Sequence, residues 1–259
     1  MYDDISEIKT FYKARQGRQV AARLRPRVTD FWERSEGCCN IAIGFATPFL
    51  RKNDVDTVLM PQRQGVLVWP RNQPVRSTLV DPHALPIPDV QTDRLLLVHA
   101  LEFASDPCRM LDECWRILDG AGRLLVIVPH RHGMWTRAEG TPFGHGRPYS
   151  RRQLRQLLQH HGFEPRVITT MLFMPPMATG WTLKLSHSME RVGARWWPAL
   201  GGLLLAEADK MLYAPAGKTS KMRRARPRAR PRLAPQTSRV TRRLKIKSGH
   251  RSNSAGTWV

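Results

Sequence analysis

The stretch Asp93-Arg94-Leu95-Leu96-Leu97-Val98-His99-Ala100-Leu101-Glu102 decides the fold. Leu95 to Val98 is apolar throughout rather than alternating, which marks a strand covered on both faces. It ends on a histidine, with an acid three residues on. Open α/β sheets place ligands at that end of a strand. Working outward, four more runs read the same way. They are Asn40 to Phe45, Thr57 to Met60 stopped by Pro61, Val75 to Val80 stopped by Asp81-Pro82, and Arg123 to Val128 stopped by Pro129. Between the fourth and fifth, Met110, Leu111, Cys114, Trp115 and Leu118 fall at helical spacing over Pro107 to Leu118. Asp119-Gly120-Ala121-Gly122 then supplies a stop and a turn. Ser150 to His161 is a second clear helix: Ser150 caps it, Leu154, Leu157 and Leu158 form its stripe, and Gly162 ends it.

The flanks are less regular. Tyr2 to Tyr12 predicts a short helix, followed by a basic stretch to Arg27. Val28, Phe31 and Trp32 predict a second helix over Val28 to Glu36. Val167 to Phe173 and Gly202 to Tyr213 read as further strands, with Leu183 to Trp197 helical between them. Strands alternating with helices imply an α/β fold, an open sheet with helices on both faces. No internal repeat is present.

The chain has 259 residues, with 42 Lys+Arg against 21 Asp+Glu, a net charge of +21 and a pI near 11.1. Such a charge points to nucleic acid until its distribution is read. From Lys218 onward there are 14 basic residues and no acid, so two thirds of the net charge lies in that tail. The run Arg223-Arg224-Ala225-Arg226-Pro227-Arg228-Ala229-Arg230-Pro231-Arg232 buries too little apolar surface to order itself. The expected division is a helical extension over 1–27, a folded domain over 28–215 and a disordered basic tail over 216–259. Residues 218–251 offer a contact to nucleic acid or an anionic surface; the other reading is a solvated terminal extension. The acidic start lacks an apolar targeting core, and the longest apolar run is too short for a membrane span. Cys38, Cys39, Cys108 and Cys114 match no zinc spacing and read as reduced thiols of a cytoplasmic protein.

Three stretches resemble the class I S-adenosylmethionine-dependent methyltransferases, in particular the methyltransferase type 11 family. Asp81-Pro82-His83-Ala84-Leu85-Pro86-Ile87-Pro88-Asp89 is similar to that family's acid followed by A-x-x-L-P-F-P-D. Asp93 to Glu102 is similar to F-D-x-V-x-x-x-H-V-L-E. Met110 to Leu118 with Gly122-Arg123-Leu124 resembles L-x-E-x-x-R-V-L-K-P-G-G-x-L. Tyr149 to Glu164 then looks like the family's next helix and its Gly-Phe strand entry. The resemblance implies a Rossmann-like seven-stranded sheet whose last strand is antiparallel. It also implies S-adenosylmethionine as cofactor and methyl transfer to a small-molecule acceptor. The alternative is a protein of this fold that has lost catalysis and serves as a binding module, contacting nucleic acid through its tail.

The same resemblance supplies site residues. Ala42-Ile43-Gly44-Phe45-Ala46-Thr47-Pro48 stands where the family has D-x-G-x-G-T-G, so Gly44, Ala46 and Thr47 would approach the cofactor. Ala42, Ala46 and Pro48 depart from the pattern, and Met60-Pro61-Gln62 stands where a ribose-binding carboxylate is expected. Asp81 would accept from the adenine amino group, or serve as a turn cap before Pro82. Ala84 would lend its backbone to the adenine edge. His99 would contact cofactor or substrate or act as a base, or be structural. Glu102 lies where some relatives carry a metal-linked acid in E-x-x-E-H, but the residues around it differ and no metal is expected. The polar, aromatic stretches Pro129 to Trp135 and Pro142 to Tyr149 read as a substrate lid for an anionic or phenolic acceptor, or as solvated loops.

Overall fold

The computed structural model describes residues 4–32, 37–51, 54–176 and 200–212. These fall within one unit spanning Met1–Ser220. The basic tail and the helix expected over Leu183 to Trp197 lie outside the described residues.

Seven strands form one sheet: β1 (Asn40–Gly44), β2 (Thr57–Pro61), β3 (Ser77–Val80), β4 (Thr92–Val98), β5 (Leu118–Pro129), β6 (Phe163–Met171) and β7 (Leu203–Lys210). Their order is β3-β2-β1-β4-β5-β7-β6. The first five run parallel, and β7 is antiparallel to both β5 and β6. This is the Rossmann-like, last-strand-antiparallel sheet that the sequence implied. β5 starts earlier than expected, at Leu118, and its register with β4 shifts between Thr92 and Arg94.

The apolar strands alternate their side chains between two cores. Ile41, Ile43, Leu95, Leu97, Leu124 and Val126 face α3 (Pro107–Ile117) and α4 (Arg151–His160). Ala42, Val58, Leu96, Val98, Leu125 and Ile127 face the other way, toward α1 (Ile5–Lys13) and α2 (Arg15–Phe31). Ser150 caps α4 with a capping box through Gln153. Gly162, at φ 76, lets the chain leave that helix against the Trp115 ring.

The N-terminal region corrects the sequence reading. The basic stretch before Val28 is helical, and the expected boundary at 27/28 falls inside α2. Val20, Ala21, Leu24, Val28 and Phe31 form one buried stripe, while arginines occupy the outer face. Burial of that stripe overrides the helix-breaking tendency of Pro26. α1 and α2 thus belong to the core rather than to an extension. The β1-to-β2 connection departs from the alternating pattern as well: its described residues form no helix.

Candidate functional site

His99 follows β4 directly and sits in the left-handed region at φ 50. Such residues are uncommon outside glycine and cluster at constrained sites. Its side chain is fully buried. The Tyr12 hydroxyl, from the last turn of α1, lies 2.7 Å from His99 Nε2. Burial first, and the charge of Glu102 second, hold the Tyr12 phenol well above its ordinary pKa. The phenol therefore keeps its proton and can donate to Nε2. On the other side of the ring, His99 Nδ1 lies 3.3 Å from Glu102 Oε1. Nδ1 has no aligned hydrogen bond, and Glu102 Oε2 has no hydrogen-bond partner among the described residues. Phe103 and Phe143 close the remaining sides, with ring centroids 6.5 and 5.1 Å from the imidazole. Gln64 Nε2 donates to the His99 carbonyl at 2.7 Å, and Ile5 N–H donates to the Gln64 carbonyl at 2.8 Å. Both ends of α1 are thereby tied to the carboxyl edge of the sheet.

The first loop lies beneath this helix. Gly44 has φ 90, and a Cβ there would stand 2.2 Å from the Val98 carbonyl oxygen. Glycine is required because β1 and β4 approach so closely at their ends. Phe45 and Phe49 turn inward and meet the Tyr12 ring at centroid distances of 5.8 and 5.3 Å. Ala46 is buried and Thr47 half-buried. With no helix following among the described residues of this connection, no helix N-terminus faces the loop to receive an anionic group.

Beside the closed cluster, a cavity of about 250 Å³ opens over the carboxyl ends of β2, β3 and β4. Gln62 and Asp81 line its polar side, and Ala100, Phe103, Ala104 and Met110 its apolar side. The Gln62 backbone N–H donates to the Val80 carbonyl at 3.0 Å. Asp81 Oδ1 accepts from the His83 N–H at 2.9 Å and lies 3.1 Å from His83 Nδ1. Asp81 therefore is a turn cap, and both contacts use Oδ1, leaving Oδ2 without a partner among the described residues. Ala84 is not on the cavity wall; its N–H donates to the Asp81 carbonyl at 3.2 Å. Of the residues expected at a cofactor site, the structure brings Asp81 to this cavity. It gathers Gly44, Ala46 and His99 under α1.

Two of the resemblance-bearing stretches meet here through ion pairs. Arg116 on α3 donates to the Leu85 and Ile87 carbonyls at 3.0 and 2.9 Å, and pairs with Asp89 and Glu113. Glu113 accepts from the Leu85 N–H at 2.8 Å. The Glu113 carboxyl is held below its usual range, first by Arg116. These residues brace the loop after Asp81 rather than touching the cavity. Sequence reasoning missed Tyr12 and Gln64. Tyr12 and His99 are 87 positions apart, and no local pattern links them.

Among the described residues no group of three or more His, Cys, Asp or Glu could hold a metal ion. No disulfide links the four cysteines. No described helix is long and apolar enough to cross a membrane.

The strand order, the single antiparallel insertion and the cavity at the carboxyl edge define the class I S-adenosylmethionine-dependent methyltransferase fold. A family described as "Methyltransferase domain" matches residues 50–126. Over those residues the chain is similar to that family, and its fold is that of the class I methyltransferases. It is 31% identical over 97 residues to a "Probable S-adenosylmethionine-dependent methyltransferase" of Mycobacterium tuberculosis, a match covering 37% of this chain. The matched region spans 34% of the length of that relative. Among solved structures, a possible histamine N-methyltransferase of Thermotoga maritima aligns with TM-score 0.61 at 19% identity, covering 80% of this chain and 95% of its own. A methyltransferase of Archaeoglobus fulgidus aligns with TM-score 0.56 at 15% identity, covering 80% of this chain and 100% of its own.

Proposed function

We propose that the protein transfers the methyl group of S-adenosylmethionine to a small-molecule acceptor. The observation that carries this is the cavity between Gln62, Asp81 and Ala100, on a sheet of methyltransferase topology. Its size and mixed walls suit the nucleoside half of the cofactor. The Asp81 Oδ2 would accept from the adenine amino group, against the apolar face of Ala100 and Met110. The Gln62 amide would meet the ribose hydroxyls, as donor and acceptor in place of the usual carboxylate. When bound, the cofactor supplies an electrophilic methyl on a sulfonium, so the protein's task is positioning and exclusion of water. Gly44, Ala46 and Thr47 border the space for its amino-acid half, which the Tyr12, Phe45 and Phe49 rings fill. Admission of that half requires α1 to swing Tyr12 away from His99, and this movement would also uncover His99 as a base.

The covered first loop favours a second reading, a methyltransferase-fold binding module without catalysis. Calorimetry of the full chain separates the two. The enzyme reading expects micromolar binding of S-adenosylmethionine and of its demethylated product. Binding of methylthioadenosine alone, or no binding at millimolar ligand, supports the second reading and ends the first.

A further inference from the structure

A second concavity lies apart from the nucleoside cavity, between the loop after β5 and one face of α4. It is an open cleft of about 450 Å³, walled by Arg131 and Arg147 on one side and Gln153, Gln156 and His160 on the other, with Tyr149 also on its wall. No acidic residue lines it. Neither arginine has a carboxylate partner among the described residues. Their backbones are nevertheless fixed. The Arg131 N–H donates to the Tyr149 carbonyl at 2.9 Å, and the Tyr149 N–H to the Pro129 carbonyl at 3.0 Å. The Arg147 N–H donates to the Glu102 carbonyl at 2.8 Å. Tyr149 is buried, and its hydroxyl has no hydrogen-bond partner among the described residues.

Two exposed guanidinium groups on pinned backbone, neither with a carboxylate partner among the described residues, give this wall a positive face to which an anion can bind. Guanidinium forks match the oxygens of phosphate and carboxylate, and the glutamine amides add neutral donors. The volume falls in the range of small-molecule sites, roughly 300–1,000 Å³, and so exceeds what a bare oxyanion needs. We propose that this cleft binds the phosphate or carboxylate group of a small organic anion. If the methyl-transfer reading holds, this anion is the acceptor, gripped by its charged end.

The test is calorimetry of the full chain at moderate salt with inorganic phosphate, pyrophosphate and citrate as probes. Saturable binding at or below about 1 mM is expected for at least one probe. The tighter class, phosphate or carboxylate, names the ligand chemistry. Arg131→Gln and Arg147→Gln should each weaken it about tenfold or more, with unchanged melting temperature. Arg152→Gln, exposed on α4 but off the cleft wall, should leave it unchanged. Absence of binding by the wild-type chain at about 10 mM overturns the proposal. An equal loss in Arg152→Gln does so too, because it shows attraction to diffuse charge. A parallel titration with S-adenosylmethionine keeps the two readings apart: failure there with anion binding intact ends the enzyme reading and leaves the cleft standing.

Discussion

Replacing Tyr12 by phenylalanine isolates one buried hydrogen bond. The ring and its edge contacts to Phe11 and Phe49, at centroid distances of 5.1 and 5.3 Å, remain. What disappears is the donor 2.7 Å from His99 Nε2. That nitrogen then sits in an aromatic enclosure without a partner, on an imidazole whose Nδ1 already lacks an aligned one. Leaving a buried acceptor unsatisfied costs about 1–3 kcal/mol, so a loss near ~2 kcal/mol is expected. For a domain of this size that lowers the melting temperature by roughly 4–8 °C. Urea unfolding at pH 7 should show a lower midpoint with an unchanged slope. The gap also depends on pH. The folded state holds the Tyr12 phenol protonated well above its ordinary pKa of 10.0, through burial first and Glu102 second. Its contribution is complete below that ordinary value and is lost as the pH rises toward the folded one. The stability difference between wild type and Tyr12→Phe should therefore shrink above about pH 10. Equal stabilities at pH 7, or a difference constant through pH 11, would refute the assigned hydrogen bond.

The other expectations concern separate elements. Gly44→Ala places a Cβ 2.2 Å from the Val98 carbonyl oxygen at φ 90, between two central strands. Left-handed strain and overpacking together should cost about 3–5 kcal/mol in urea unfolding, and a loss under ~1 kcal/mol would mean that the strands part easily. Arg116→Ala removes the brace on Leu85, Ile87 and Asp89. Hydrogen exchange should accelerate in that loop and nucleoside affinity should fall about tenfold, about 1.4 kcal/mol; unchanged exchange would show that the loop holds itself. His130 has its folded pKa lowered, by burial first, so its contribution is present above the ordinary value of 6.5 and lost as the pH falls. His130→Gln should flatten the acid-side loss of stability below that pH, and an unaltered pH profile would contradict the burial argument. Tyr149, pushed up to about 12 by burial, should give wild type a loss of stability between its ordinary 10.0 and that value. Tyr149→Phe should reduce that loss and leave the share carried by Tyr12; an alkaline loss identical to that of wild type would reassign it.

Much of the fold was legible wherever the deciding physics is local. Leu95 to Val98 and Leu124 to Val128 are apolar at every position because both faces of those strands are covered, and that pattern needs no knowledge of the covering elements. α4 was readable end to end, since Ser150, the leucine stripe and Gly162 act within a few residues of one another. α2 was not, because its arginines hid the bounds of the helix while its apolar stripe had meaning only against α1 and the core on that face of the sheet. Within the candidate site, Asp81 could be placed from the strand it ends and the proline that follows. Its neighbour Gln64 could not, because its bond to the His99 carbonyl spans 35 positions.

By itself, then, the sequence determined an open α/β sheet, a methyltransferase-like order of motifs and a basic tail that accounts for most of the net charge. Hydrophobic periodicity and turn chemistry carry that information over short distances along the chain. Only the tertiary structure decided that α1 closes over the first loop through Tyr12 and His99. It alone decided that Gly44 serves the approach of two strands, and that Arg131 and Arg147 flank one cleft with no acid between them. Each of these is a meeting of groups far apart in sequence, set by how the helices and loops dock on the sheet, and chain neighbours do not encode it.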